Sequence, residues 1–340
     1  MIWLAFTATL VMSLAFTGII RRYAQARNLI DVPNQRSSHT IATPHGGGVA
    51  IVLAFQLMLV VLTFSGYIPV SNLLLYLVAG SVIALIGLMD DIYHIPARWR
   101  LLFHFAGSSF AVYWLGGVPP LLVGGNLLDP GWLGSIAGVI FLVWLLNLYN
   151  FMDGIDGIAG IEAVTVCVGG VLIYGLFGNS GAHSISPLML IAATLGFLFW
   201  NFPRARIFMG DTGSAYIGFI VGVFAIQAAW VAPELVWSWV VLLGAFIVDA
   251  TVTLIRRVMR GEKFYEAHRS HAYQYASRKY GSHIRVSLAF GVINLFWLLP
   301  LAMLIAGGWL DGLLALFIAY LPLIWLAFHF KAGAGKLQEV

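Results

Sequence analysis

The chain has 340 residues, of which 61% are hydrophobic and only 9% charged, and it carries a formal net charge of +4 at pH 7. Apolar stretches of membrane-spanning length recur along it, which leaves no soluble domain of useful size and makes an all-α polytopic membrane protein the expected fold. The single cysteine, Cys167, lies inside one of these stretches; that excludes a disulfide framework and a thiolate zinc site, and its ordinary role is a small buried hydrophobe.

Eleven transmembrane helices are predicted in chain order, near residues 2–20, 46–64, 70–89, 101–117, 132–149, 158–177, 185–200, 213–230, 235–255, 287–306 and 309–330. The first is expected to be a retained anchor rather than a signal peptide, because Arg21 and Arg22 follow its apolar run instead of preceding it. A ten-span alternative makes 101–117 or 185–200 re-entrant. All 18 Lys and Arg fall in alternate loops or the C-terminal tail: Arg21, Arg22, Arg27 and Arg36, then Arg98 and Arg100, Arg204 and Arg206, eight from Arg256 to Arg285, and Lys331 and Lys336. The intervening loops, 65–69, 118–131, 178–184, 231–234 and 307–308, carry none. Positive charge stays on the cytoplasmic side, so the N-terminus is expected outside and the C-terminus inside.

The acids then become informative. Asp90, Asp91, Asp153, Asp156 and Asp211 all lie at the predicted inner ends of spans. In "NFMDGIDG", Asn150, Asp153 and Asp156 recur every third residue with no basic residue in the loop, so their counter-charge must be a divalent cation or a basic segment from elsewhere; the plain alternative is a polar helix cap. "GLMDDIYHIPARWR" places two carboxylates side by side, which repel unless a cation is close or one is protonated. In "NFPRARIFMGDTGS", Asn201 and Asp211 bracket Arg204 and Arg206, and glycines with hydroxyls at a helix start suit phosphate oxygens or a simple N-cap. The long basic loop contains His268-Arg269-Ser270-His271, and "RSSHTIATPHGGG" adds a cytoplasmic segment rich in Ser, His and Gly.

In this order, "RSSH…TPHGGG", "DD", "NFMDGIDG", "PRARIFMGDTGS" and "HRSHAY" resemble the polyprenyl-phosphate N-acetylhexosamine-1-phosphate transferases of glycosyltransferase family 4, over about residues 33 to 285. The resemblance implies one integral membrane transferase domain over 1–340 in a bacterial inner membrane, possessing a cytoplasmic active site built from loops 21–45, 90–100, 150–157, 201–212 and 256–286. It implies transfer of a sugar-1-phosphate from a UDP-sugar to undecaprenyl phosphate with release of UMP. Mg²⁺ is the implied cofactor, with Mn²⁺ as a substitute. By the same resemblance Asp211 holds the metal, and Asn150, Asp153 and Asp156 hold the nucleotide and the metal's surroundings. Asp90 is the candidate base with Asp91 in support; His268, Arg269 and His271 bind pyrophosphate, His271 as a catalytic group; Asn201 is a further substrate-binding candidate, with Arg204 and Arg206 weaker ones. A homodimer is in keeping with the family, and no nucleic acid partner is implied. The peptidoglycan branch carries three successive histidines in the last loop and a Lys where this chain has His94. Those departures favour an O-antigen or other surface-polysaccharide initiator.

Glu162 and Asp249 fall inside predicted spans within one or two turns of the cytoplasmic end, are expected to snorkel or to hydrogen-bond between helices, and stay outside the site. A cation-coupled transporter or lipid flippase is the main alternative, but it would place its acids near the midplane and usually in matched repeats. A reporter fused after Lys336 should read cytoplasmic and one inserted near Gly125 external. Both on one side would overturn the eleven-span topology.

Overall fold

The computed structural model describes residues 1–33, 41–177, 181–262 and 268–335. In chain order it comprises α1 (Ile2–Ala26), β1 (Ile30–Asp31), β2 (Thr43–Pro44), α2 (Gly48–Phe64), α3 (Val70–Tyr93) and α4 (Ala97–Trp114). A hairpin of β3 (Leu121–Val123) and β4 (Asn126–Leu128) leads to α5 (Gly131–Met152), α6 (Ile158–Leu176), α7 (Ala182–Asn201), α8 (Gly210–Val231), α9 (Leu235–Leu242) and α10 (Gly244–Met259). The last part holds α11 (Ala272–Tyr280), α12 (His283–Ile293), a π-helical turn (Asn294–Leu298), α13 (Leu299–Ala306) and α14 (Gly312–His329). Among the described residues strand is confined to two short antiparallel ribbons, the second turning on Gly124 and Gly125, both at positive φ. The fold is an all-α polytopic membrane protein.

Every segment expected to span is helical. Among the described residues eight helices are long and apolar enough to cross a bilayer, or nine when α9 and α10, which meet at a 66° bend, count as one span. α2 is shorter, and α4 is not among them; its first turn carries Arg98 and Arg100. Those two arginines were expected in a loop, but Pro96 at the N-cap starts the helix earlier and lifts them onto it. α11 was not anticipated. Its polar, basic sequence carries no apolar run, and its N-terminus is instead fastened by a carboxylate from another helix.

α8 occupies the centre of the bundle. From Thr212 to Ala229 all but one of its residues are buried, and it packs against α2, α3, α5 and α9. A helix apolar on every face belongs inside a bundle, and in a membrane the packing there depends on small residues that let backbones approach. Gly48 of α2 meets Gly213 of α8 backbone to backbone, and a Cβ on Gly218 would lie 2.8 Å from the Leu145 carbonyl of α5. At Gly87 of α3 a Cβ would stand 2.7 Å from Thr212 Cα and 2.8 Å from the Asp211 carbonyl. This last approach brings the end of α3 against the start of α8.

Glu162, fully buried on α6, accepts a hydrogen bond from Asn294 at 2.7 Å, and the same amide reaches the Thr165 hydroxyl at 2.8 Å. It ties α6 to the π-helical turn, the interhelix role expected of it.

Gly87→Ala should therefore cost about 1–3 kcal/mol through overpacking, seen as a lowered melting temperature in detergent. Gly175→Ala, where a Cβ meets nothing within 4 Å, should leave the melting temperature unchanged.

Candidate active site

The paired aspartates at the end of α3 have different partners. Asp90 accepts the Ile95 N–H at 2.7 Å and pairs with the Arg100 guanidinium on the first turn of α4. His94, in the left-handed region at φ 53, turns the chain between these helices. Asp91 faces α8 instead. Its carboxylate accepts the Asp211 N–H at 2.8 Å, the Thr212 N–H at 3.1 Å and the Thr212 hydroxyl at 2.7 Å. The first N–H groups of a helix have no partner within it, and here a carboxylate from α3 supplies one, assisted by the favourable end of the helix dipole. The capping residue of "GDTGS" is thus Asp91, and the Asp211 side chain is left facing Arg100 at 3.1 Å.

The 150–157 loop supplies the opposite wall. Asp153 ends α5, and Gly157, at φ 77, starts α6. Asn201 is buried and braces this turn: its oxygen accepts the Gly157 N–H at 2.9 Å while its amide donates to the Ile207 carbonyl at 2.9 Å. The Asp156 carboxylate accepts the Ala205 N–H at 3.2 Å and lies 3.3 Å from His283 Nδ1, and its carbonyl accepts the Ser287 hydroxyl at 2.7 Å. The Asp153 carboxylate accepts no hydrogen bond from a described residue. Burial, and then the charges of Asp211, Asp91 and Asp156, push its pKa well above the usual carboxylate range.

These side chains surround one open pocket of about 480 Å³ that Asp90, Asp91, Asn150, Asp153, Asp156, Asn201 and Asp211 all line. His45, His94, His283, Gln274, Ser214 and a sixth aspartate, Asp31, also line it. His45 arrives through "TPHGGG", which is laced to the segment before α8 by Phe208 N–H to the Pro44 carbonyl (2.8 Å), Gly47 N–H to the Phe208 carbonyl (2.9 Å) and Gly48 N–H to the Met209 carbonyl (2.8 Å). The "RSSH" part, residues 36–39, lies outside the described residues.

The histidine motif is not brought into the pocket wall. His271 is 2% exposed at the N-cap of α11, with Nδ1 3.4 Å from Asp249, which also accepts the Ala272 and Tyr273 N–H groups at 2.9 Å each. His268 stacks on His271 with ring centroids 4.9 Å apart, and burial next to His271 and Arg257 pushes its pKa down to about 3, so it is neutral. Arg269 contributes a carbonyl that accepts from Arg278. The motif reaches the pocket indirectly, through Gln274 of α11 and through Tyr273, whose hydroxyl donates to the Phe151 carbonyl at 3.0 Å. Arg204 and Arg206 do not line the pocket, and Arg206 lies over the Phe199 and Trp200 rings. Sequence reasoning passed over Arg100, counted only as a topogenic charge, and His283 and Gln274, whose isolated polar side chains carry no motif.

The donors suit a hard cation. Carboxylate and amide oxygens dominate the pocket and no thiolate is present, as Mg²⁺ prefers, and Mg²⁺ commonly takes only one or two carboxylates with water and substrate phosphate completing its shell. Among the described residues no three His, Cys, Asp or Glu form a ready-made cage. Asp153, without a partner and close enough to Asp211 to feel its charge, fits the open two-carboxylate arrangement.

Since Asp91 serves α8, Asp91→Ala should cost about 0.5–2 kcal/mol, the range for a lost cap, whereas Asp91→Asn, which keeps an acceptor oxygen, should retain most of the stability. Melting temperatures of the metal-free variants check this.

Comparison with known proteins adds the family. The glycosyl transferase family 4 profile matches residues 73–229, the stretch from α3 to α8 that contains five of the six pocket aspartates, all but Asp31. A probable undecaprenyl-phosphate N-acetylglucosaminyl 1-phosphate transferase of Bacillus subtilis is 28% identical over 275 residues, covering 78% of this chain and 75% of that protein. A decaprenyl-phosphate N-acetylglucosaminephosphotransferase of Mycobacterium tuberculosis is 30% identical over 316 residues, covering 80% and 74%. A phospho-N-acetylmuramoyl-pentapeptide-transferase of Moorella thermoacetica is 29% identical over 273 residues, covering 75% and 81%. With its matched segment forming the carboxylate pocket and most of its length shared with these membrane enzymes, the chain belongs to glycosyl transferase family 4.

Proposed function

We propose that the protein transfers an N-acetylhexosamine-1-phosphate from a UDP-sugar to a polyprenyl phosphate such as undecaprenyl phosphate, releasing UMP and initiating a surface polysaccharide. The observation that carries this reading is the carboxylate pocket at the ends of α3, α5 and α8, inside the family-matched segment. Relatives named for N-acetylglucosamine-1-phosphate transfer support the sugar class. His94 on the pocket wall, in place of the peptidoglycan branch's Lys, and the His-Arg-Ser-His segment favour a substrate other than the pentapeptide-bearing one. O-antigen is one such polysaccharide; a wall polymer fits the same chemistry. The positive-inside pattern supports a pocket on the cytoplasmic face of eleven crossings. Acids gathered at helix ends rather than at mid-helix speak against a carrier.

In the reaction an oxygen of the acceptor phosphate forms a bond to the β-phosphorus of the UDP-sugar as the bond from that phosphorus to the UMP oxygen breaks. Two anions must meet, so positioning and charge neutralisation provide most of the catalysis. Asp153 and Asp211 would hold Mg²⁺, which supplies positive charge to the diphosphate oxygens. Asp90 would take the proton of the acceptor phosphate, with Asp91 fixing the start of α8 beside it. Asn150 and Asp156 line the nucleotide's side. His271, buried on Asp249, anchors the start of α11, which carries Gln274 to the pocket wall.

Purified protein with undecaprenyl phosphate, Mg²⁺ and UDP-N-acetylglucosamine should release UMP only when all three are present; UDP-N-acetylmuramoyl-pentapeptide should replace the sugar poorly. Release independent of the lipid would refute the proposal. Asp211→Asn should nearly abolish UMP release while leaving the metal-free melting temperature close to that of the parent, because α8 is capped by Asp91 and not by Asp211.

A further inference from the structure

Arg100 sits where a cation is wanted. A single nitrogen of its guanidinium, Nη1, donates both to Asp90 Oδ2 and, at 3.1 Å, to Asp211 Oδ2, bridging α3 and α8 from the first turn of α4. A structural arginine between carboxylates ordinarily uses its fork, two parallel N–H donors on one partner. Here Nε and Nη2 donate to nothing among the described residues, and the side chain is 35% exposed. The guanidinium behaves as a point charge shared by two carboxylates that line the acidic pocket, and it is partly open to solvent. Asp90 keeps the Ile95 N–H as a second partner, so its orientation does not depend on Arg100.

We propose that Arg100 is an exchangeable internal counter-cation, holding Asp90 and Asp211 together until a divalent cation bound by Asp153 and Asp211 displaces it. The inference rests on the metal assignment above. Two carboxylates favour a dication over a guanidinium, and the two cations repel each other in one site. Their exchange accounts for the lack of a ready-made cage of three acids among the described residues: two of the acids are turned toward Arg100. On release the guanidinium fork is free for the oxygens of an incoming phosphate, and Asp90 is free to accept a proton.

The test is Mn²⁺ binding to the purified protein, followed by electron paramagnetic resonance without substrates. Arg100→Gln should bind Mn²⁺ roughly tenfold or more tightly than the parent, since the competing charge is gone, and Arg100→Lys should fall between. Without metal the Arg100→Gln protein should melt lower than the parent, and Mn²⁺ should raise its melting temperature by more. Equal or weaker Mn²⁺ binding by the variants would make Arg100 a permanent strut and overturn the proposal. Should Arg100→Gln not fold, the Arg100→Lys comparison decides it alone. If the parent and both variants bind no Mn²⁺, the metal assignment itself fails, a result distinct from unchanged affinity.

Discussion

The contact between Asp91 and the first amides of α8 organises the rest of the structure. α8 runs through the middle of the bundle, and its first N–H groups, which have no partner within the helix, need an acceptor from another element. Asp91 supplies it from α3 because Gly87, one turn earlier, lets the two backbones touch. Fixing the start of α8 fixes the direction of Asp211. Fixing the end of α3 turns Asp90, its immediate neighbour, the other way toward α4. One hydrogen-bonded carboxylate thereby separates two more that would otherwise crowd together.

Around that point the pocket divides its acids by partner. Asp91 serves backbone amides, Asp156 a histidine and a loop amide, Asp90 and Asp211 a shared arginine, and Asp153 none of the described residues. Each of the first four has a donor, while burial and the charges of its acidic neighbours raise the proton affinity of the last. A second carboxylate, Asp249, repeats the first one's device at α11, accepting two successive N–H groups of a helix that has little apolar surface to seat it. The histidine motif is held by this device at some remove from the acids.

Much of this could be read from the chain. Segments such as 70–89 and 213–230 are apolar enough that no structure other than a membrane helix satisfies their backbone, and the clustering of acids at one set of helix ends follows from where the spans stop. The roles within the cluster could not be read, because adjacent carboxylates such as Asp90 and Asp91 look alike until the helices that face them are known. Asp211 has the local sequence of a helix cap, yet the cap comes from 120 residues away. Arg100 was hidden by a second effect: a basic residue at a membrane boundary is already explained by topology, so nothing in the sequence asked for a further partner. α11 was missed because its stability comes from Asp249 and not from its own pattern. His271 drew attention as a reactive side chain, while its burial depends on contacts with segments far away in sequence.

The glycine contacts about α8 bear on how such a sequence can drift. At Gly48, Gly87 and Gly218 the neighbour is largely main chain, which cannot be exchanged for something smaller, so a gain of volume there has no compensating loss across the contact. Lipid-facing positions such as Phe64, Phe317 and Trp325, all widely exposed, exchange one apolar side chain for another with no partner to consult. The protein is therefore free to adapt its outer surface to bilayers of different thickness and composition, while the geometry among its innermost helices stays locked to atoms that every residue shares.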